Sequence, residues 1–211
     1  MKYTLLCLVV LFNISSLSAQ FIEEEKDLKS YNGYFNFHYS PTEGKIYLEV
    51  DQLNKEFLYT HFLASGIGSN DIGLDRGQIG DGVVVKFIKS GNTILLLQPN
   101  QKFRAISDNE FEKKSIEVAF ATSIIFGFPI KETKNEKHLI DLTPFLLRDA
   151  HHVAKRLKNN NQGTYKLDKS RNVLWLENTK AFPKNVEFES LLTFVGDPKG
   201  RQIVTVAPDA N

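Results

Sequence analysis

Cysteine and methionine are nearly missing from this chain: one of each in 211 residues, Cys7 and Met1. Both lie in the first ten residues. Everything beyond them therefore has no disulfide to close and no thiolate to act as nucleophile or metal ligand. An excess of charge of either sign is missing too. Lys+Arg number 26 against 25 Asp+Glu, a formal net charge of +1. That balance excludes the broad basic footprint of a general nucleic-acid binder, and equally an acidic solvating tail. After the first segment no apolar run approaches the ~18 residues that would span a bilayer as a helix.

The usual catalytic spacings are absent as well. A zinc-protease helix needs two histidines four apart, so that both imidazoles leave one face towards the ion, with a Glu between them as base. The histidines here are His38, His61, His138, His151 and His152, and no pair has that spacing. The neighbours His151 and His152 diverge by about 100° on a helix and do not readily share one ion. They read as a half-exposed pair on a helix, with Asp149 beside them to orient His152 or to pair with Arg148. There is no Gly-x-Ser-x-Gly for a nucleophilic serine. The glycine-rich stretch Ser65–Gly82 carries six glycines but fails as a phosphate cradle. Gly66 and Gly68 would need a third glycine where Asp71 stands, and no Gly-Lys-Ser/Thr follows. It fails as a calcium loop because the closing bidentate Glu would fall at Gly82. Read by residues alone, it is a structural loop or one that packs on another domain.

What is present begins with an export signal. Met1-Lys2 is a short basic start, Leu5 to Phe12 is unbroken apolar sequence, and Ser15-Ser16-Leu17-Ser18-Ala19 supplies small residues. Together these predict a secretory signal peptide over residues 1–19, cleaved near Ala19, and an exported protein. Cys7 lies too early for a lipid anchor. Residues 20–32 read as a polar lead-in, and 33–211 as one β-rich domain.

Within that domain the fold class reads as α+β, mostly antiparallel sheet in meanders and hairpins, with two helices. Phe35, Phe37 and Tyr39 alternate with polar residues, Pro41–Gly44 turns, and Ile46, Leu48 and Val50 alternate on the return. A third strand of the meander follows at about 57–64. Residues 83–88 and 93–97 flank Lys89-Ser90-Gly91-Asn92 as a hairpin. Ser107 with Glu110 reads as a capping box opening a helix over about 108–122, which Gly127 and Pro129 close off. A strand at 138–142 leads to Thr143-Pro144, a cap and first-turn proline for a second helix over about 144–158. Leu146, Ala150, Val153, Ala154 and Leu157 form its apolar stripe, with Arg148, Lys155, Arg156 and Lys158 turned to water. Strands at 165–167, 173–177, 186–195 and 202–207 complete the reading.

Four blocks carry a resemblance. They are Gly66-Ile67-Gly68-Ser69-Asn70-Asp71-Ile72-Gly73-Leu74-Asp75-Arg76-Gly77-Gln78, Phe126-Gly127-Phe128-Pro129, Thr143-Pro144-Phe145-Leu146-Leu147-Arg148-Asp149-Ala150-His151 and Thr179-Lys180-Ala181-Phe182-Pro183-Lys184-Asn185. In this order and spacing the chain resembles the N-terminal region, a domain of unknown function, of large exported bacterial zinc-dependent metalloproteases of the zincin type. The resemblance implies that the H-E-x-x-H helix, and the zinc with it, belong to a downstream domain. This chain then holds no catalytic residue, metal ligand or cofactor of its own, and its last strand, ending at Ala207, is expected to lack a partner. The implied role is to pack on the protease domain of the same polypeptide or to assist its folding. Candidate contacts are Gly73, Leu74, Asp75, Arg76, Gly77, Arg148 and Asp149. Two other readings remain open: an independent exported module binding glycan, peptide or lipid, and an inhibitory prosegment.

Overall fold

The computed structural model describes residues 27–206, so the expected export signal lies outside the described residues. The fold class is α+β and mostly antiparallel sheet. Eight strands form the main sheet: β1 (Lys29–Tyr31), β2 (Phe37–Ser40), β3 (Lys45–Val50), β4 (Glu56–Tyr59), β5 (Val83–Ser90), β6 (Thr93–Gln98), β7 (Ser123–Lys134) and β8 (Lys137–Asp141). Their order across the sheet is β1-β2-β3-β8-β7-β6-β5-β4. The expected lead-in thus contributes an edge strand, because Lys29, Ser30 and Tyr31 pair with Tyr39, His38 and Phe37.

The order dictates the shape. β3 and β4 are consecutive in sequence yet five places apart in the sheet. Five spacings of about 4.8 Å amount to roughly 24 Å in a flat sheet. The six Cα steps from Val50 to Glu56 reach only about 21 Å when fully stretched. The sheet must curl until its far edge returns towards β3, and the rings record it: Phe35, just before β2, meets Phe57 of β4 at 5.1 Å and Phe87 of β5 at 5.8 Å. The third strand therefore does not extend the first meander. It pairs with β5, Phe57 opposite Val85, while β3 takes β8, Leu48 opposite Ile140.

Inside the curl lies the main core, Phe35, Phe37, Ile46, Leu48, Val50, Val85, Phe87, Ile94, Leu96, Phe128, Ile140, Leu142 and Phe145. The alternating residues of β2, β3, β5 and β6 supply most of it, as period-two patterning requires. On the outer face Ser30 Oγ contacts His38 Nδ1 at 2.8 Å and His38 Nε2 contacts Glu49 Oε1 at 2.7 Å. Burial alone would raise the Glu49 carboxyl, but the hydrogen bond and charge of His38, with Lys137, hold it below the ordinary carboxylate value. The carboxylate only accepts, so Nε2 carries a proton. This bridge pins the edge strand β1 across β2 to β3.

Two helical expectations change. The first helix, α1 (Glu110–Ala119), is capped by Asn109, whose side chain accepts from the Phe111 N–H at 3.0 Å. Ser107 instead accepts from the Asn109 N–H, so there is no capping box. The second helix is broken into α2 (Thr143–Leu146) and α3 (Val153–Asn159). Pro144 does sit in the first turn of α2, but the Thr143 hydroxyl is not a cap. It accepts the Ile46 N–H at 2.9 Å and so ties α2 to β3.

Beyond α3 the chain makes small two-stranded sheets. β9 (Gly163–Leu167) pairs with β14 (Phe194–Pro198), β10 (Val173–Leu174) with β13 (Ser190–Leu191), and β11 (Lys180–Ala181) with β12 (Val186–Glu187). The expected last strand is a helix, α4 (Arg201–Val206), so no unpaired strand remains there. Buried Gln162 explains the change. Its amide NH₂ donates to the Asn160 carbonyl and to Gln202 Oε1, and its oxygen accepts the Ile203 N–H at 3.0 Å. It satisfies a first-turn amide of α4 that has no partner within the helix. Ile203 then packs with Ile72, Leu74, Val153 and Leu157 in a second, smaller core.

Candidate functional site

The glycine-rich stretch folds against that second core. Asn70–Ile72 makes one helical turn, Gly73 ends it at φ +69°, and Leu74 turns inward to complete burial. α3 holds the loop from the other side. Arg156 Nη1 donates to the Gly73 carbonyl at 2.5 Å and Asn160 Nδ2 to the Ile72 carbonyl at 3.3 Å. Two of the expected contact residues, Gly73 and Leu74, are thus engaged within this chain. Arg76 and Gly77 are exposed and Asp75 is half-buried. Arg156, expected to face water, faces the loop.

The break between α2 and α3 has a physical cause in Asp149. Its Oδ1 accepts the Val153 N–H at 2.8 Å and its Oδ2 the Ala154 N–H at 3.1 Å. A carboxylate on these first-turn amides satisfies donors that the helix cannot. The chain must leave helical geometry to place it there, and His152 sits at φ +54° as a result. Asp149 therefore neither orients His152 nor pairs with Arg148.

Released from the helix, Arg148 turns inward to the sheet. Its guanidinium lies 4.2 Å from the centre of the Phe145 ring, and Nη2 donates to the Tyr59 hydroxyl at 2.8 Å. Beside Tyr59, His61 meets His151 edge to face, ring centres 5.1 Å apart. His151 Nε2 lies 3.4 Å from Gln78 Oε1. The segment carrying Gln78 runs beside that of His61: the Gly80 N–H donates to the His61 carbonyl at 2.8 Å, and Phe62 bridges to Ile79. At Gly80 a Cβ would collide with the His61 imidazole where it now lies, so the ring packs directly on this glycine. Tyr59, His61, Gln78, Arg148 and His151 form one polar cluster at the meeting of sheet, loop and helix break.

Three nitrogens in this cluster are sealed from solvent and have no hydrogen-bond partner among the described residues: Arg148 Nε, His61 Nδ1 and His151 Nδ1. Burial depresses the pKa of His61, and the neighbouring His151, Arg148 and His152 add to the effect. Burial likewise depresses His151, helped by Arg156 and opposed by Asp149. Both imidazoles protonate in the unfolded chain at a higher pH than in the fold. The unfolded state then binds more protons below about pH 6.5. Stability contributed here is complete above that pH and is lost as pH falls through the depressed folded values. Thermal midpoints measured from pH 8 downward are expected to fall in that window, and the double variant His61→Gln, His151→Gln to flatten the slope. An unchanged slope in the double variant would refute the assignment.

Among the described residues no group of three or more His, Asp or Glu side chains is placed to hold a metal ion, and no helix is long and apolar enough to cross a membrane. The sequence offered Arg148 and Asp149 but no reason to join them to Tyr59, His61 and Gln78. The partners lie 89 and 73 residues apart in the chain, and no local periodicity reports such pairs.

A family model described as a domain of unknown function (DUF5117) matches residues 77–209, more than half of the chain. The chain belongs to the DUF5117 family. A second model, also described as a domain of unknown function (DUF5118), matches residues 21–66. The two matches share one sheet. The DUF5118 segment supplies β1, β2 and β3 at one side and β4 at the other, and the DUF5117 segment supplies β5 to β8 between them. The polar cluster also takes residues from both, Tyr59 and His61 from one and Gln78, Arg148 and His151 from the other. No curated protein and no solved structure matches the chain.

Proposed function

We propose that this chain is a non-catalytic N-terminal domain of an exported zinc-dependent metalloprotease, packing on a downstream protease domain of the same polypeptide or assisting its folding. The resemblance of the four blocks supports the reading, and two of those blocks, Gly66–Gln78 and Thr143–His151, meet at the polar cluster. Zinc and the general base would belong to the downstream domain, and this chain would supply surface.

The observation that carries the reading is α1. β6 and β7 are neighbours in the sheet, yet residues 99–122 leave it between them to build this helix. No residue of α1 is buried, and Phe111 and Val118 are 87% and 76% exposed. Within the described residues the excursion is closed at its base by Phe103 stacked on Phe120 at 3.9 Å. A ten-residue helix is shorter than the ~12–15 residues at which isolated helices become even marginal in water. The ion pairs Glu110–Lys113 and Lys114–Glu117 add only about 0.2–0.5 kcal/mol each. Such a helix needs an apolar surface to lie on, and a following domain provides one.

Amides of residues 110–119 are expected to exchange rapidly in the isolated chain and to become protected when the downstream domain is supplied in trans. The chain alone is expected to hold no stoichiometric zinc and not to hydrolyse casein. Zinc at one equivalent with proteolysis by this chain would overturn the non-catalytic role. Unprotected α1 amides in the presence of the second domain would overturn the packing role.

A further inference from the structure

We infer that this chain pairs with a second copy of itself through the open edge of β4, strand against strand about a two-fold axis at Thr60. β4 is the last strand in the sheet order, with β5 on one side and, among the described residues, no strand on the other. The edge outlasts the strand. Beyond Tyr59 the chain runs on beside the glycine-rich loop to Leu63. The Gly80 N–H donates to the His61 carbonyl, the Leu63 N–H to the Gln78 carbonyl and the Gly77 N–H to the Leu63 carbonyl. Backbone groups alternate in direction along a strand. With those of His61 and Leu63 turned to the loop, those of Leu58, Thr60 and Phe62 point away from it. Neither Thr60 nor Phe62 makes a backbone–backbone hydrogen bond among the described residues. Phe57, Tyr59 and His61 face the core and the polar cluster, so Leu58, Thr60 and Phe62 lie on the outer face. There Leu58 is 70% exposed, Phe62 58%, and Ile79, bridged to Phe62, 71%.

Edges of this kind are normally guarded by short length, an edge lysine, a proline or a covering element. The opposite edge is guarded in this way, since β1 has three residues and begins with exposed Lys29. Phe57–Ala64 holds no Lys, Arg, Asp, Glu, Pro or Gly, so nothing in it repels an incoming strand. The symmetry of the free groups selects the occupant. Leu58, Thr60 and Phe62 are two apart and centred on Thr60. An identical antiparallel strand, related by a two-fold axis there, sets Leu58 of each copy opposite Phe62 of the other and Thr60 opposite Thr60. These are hydrogen-bonded positions of the ladder, so the free N–H and C=O groups satisfy one another in roughly six bonds. The side-chain pairs are apolar with apolar and threonine with threonine, both favourable across strands. Glu56 falls opposite Ala64, so no like charges meet. The contact is isologous and covers both β4 edges at once. α1 takes no part in this contact, which goes beyond the packing role and does not rest on it.

Sedimentation velocity on the full chain from about 1 μM to about 1 mM tests it, since an interface of one strand pair belongs to the small, weak class. The sedimentation coefficient is expected to rise from that of a monomer towards that of a dimer over this range. Leu58→Glu and Phe62→Lys should each weaken the dimer about tenfold or more, because each sets a charge against an apolar side chain. The variant carrying both should recover most of that loss, since the two new charges then oppose one another across the axis. Thr60→Pro removes the central N–H of each copy, on the side where β5 does not need it, and should also weaken the dimer about tenfold. All three positions are exposed, and the unfolding transition of each variant checks its fold. Association through α1 would be indifferent to these substitutions, so the α1 amides and the β4 variants report separately on the packing role and on this contact. A chain that stays monomeric to about 1 mM, a dimer unmoved by both single charge variants, or a double variant no tighter than the singles would overturn the inference.

Discussion

Residues 77–209 expressed alone are expected to show no cooperative unfolding transition, although one family model matches that whole segment. The reason is the strand order. The segment keeps β5 to β8 but loses β3 from one side of β8 and β4 from the outer side of β5. Both exposed strands would present unpaired backbone groups along their length, a template for aggregation. The core loses Phe35, Phe37, Ile46, Leu48 and Val50, five buried residues of the main cluster. At about 1.5–3 kcal/mol for each large apolar side chain, the loss is roughly 8–15 kcal/mol. Typical domain stability is about 5–15 kcal/mol in total. Circular dichroism during heating checks this directly, with the full chain as reference. A sharp melt of the isolated segment would refute it.

Addition of residues 21–76 as a separate chain is expected to restore the melt, because those residues bring both missing neighbours and, in Ile72 and Leu74, the loop's share of the second core. Their short connection between β3 and β4 is also what obliges the sheet to curl. The division between the two family descriptions falls at 67–76, within the glycine-rich loop. That loop belongs to the second core and not to a linker. Two segments described separately thus make one folding unit, and the polar cluster exists only when both are present.

How far the sequence foretells this structure differs from element to element, for physical reasons. Strands β2, β3, β5 and β6 are legible because each has one face in the core and one outside, so their residues alternate. β7 is not. Its start, Ser123-Ile124-Ile125-Phe126, does not alternate, and Gly127 and Pro129 read as breakers. The structure shows why both are tolerated. Pro129 is the last residue paired with β6, and the pairing passes to β8 from Ile130 onward. The missing N–H falls at the handover, where an edge-like position accepts proline. Gly127 lies opposite Leu95, whose side chain occupies the space beside it. The second helix misleads for a different reason. The apolar stripe from Leu146 to Leu157 has helical period, but the carboxylate of Asp149 gains more by capping α3 than by continuing one helix. Of the polar cluster, only Arg148 stands among the candidate contacts that the sequence offers. Tyr59 and His61 follow from tertiary pairing alone.

Leu74→Ala is expected to lower the stability of this chain, without any partner, by about 3 kcal/mol. Leu74 is 0% exposed and packs in the second core with Ile72, Val153, Leu157 and Ile203. Its backbone neighbour Gly73 is fixed at φ +69° and by the Arg156 guanidinium, so the loop cannot collapse freely into the void. For a chain of this size that loss corresponds to a midpoint lower by about 6–12 °C. Arg76→Ala, on an exposed side chain two residues further on, should stay within about 0.5 kcal/mol. The pair of variants separates two roles within one short run. A residue whose work is to hold the loop on α3 is felt in the isolated chain, whereas one kept for another domain is felt only when that domain is bound. A Leu74→Ala variant as stable as the parent chain would place Leu74 outside the core. Loss of loop anchoring should also reach the polar cluster, since Gln78 lies four residues along the same loop from Leu74. The His151 resonance is therefore expected to shift in Leu74→Ala and to stay in place in Arg76→Ala.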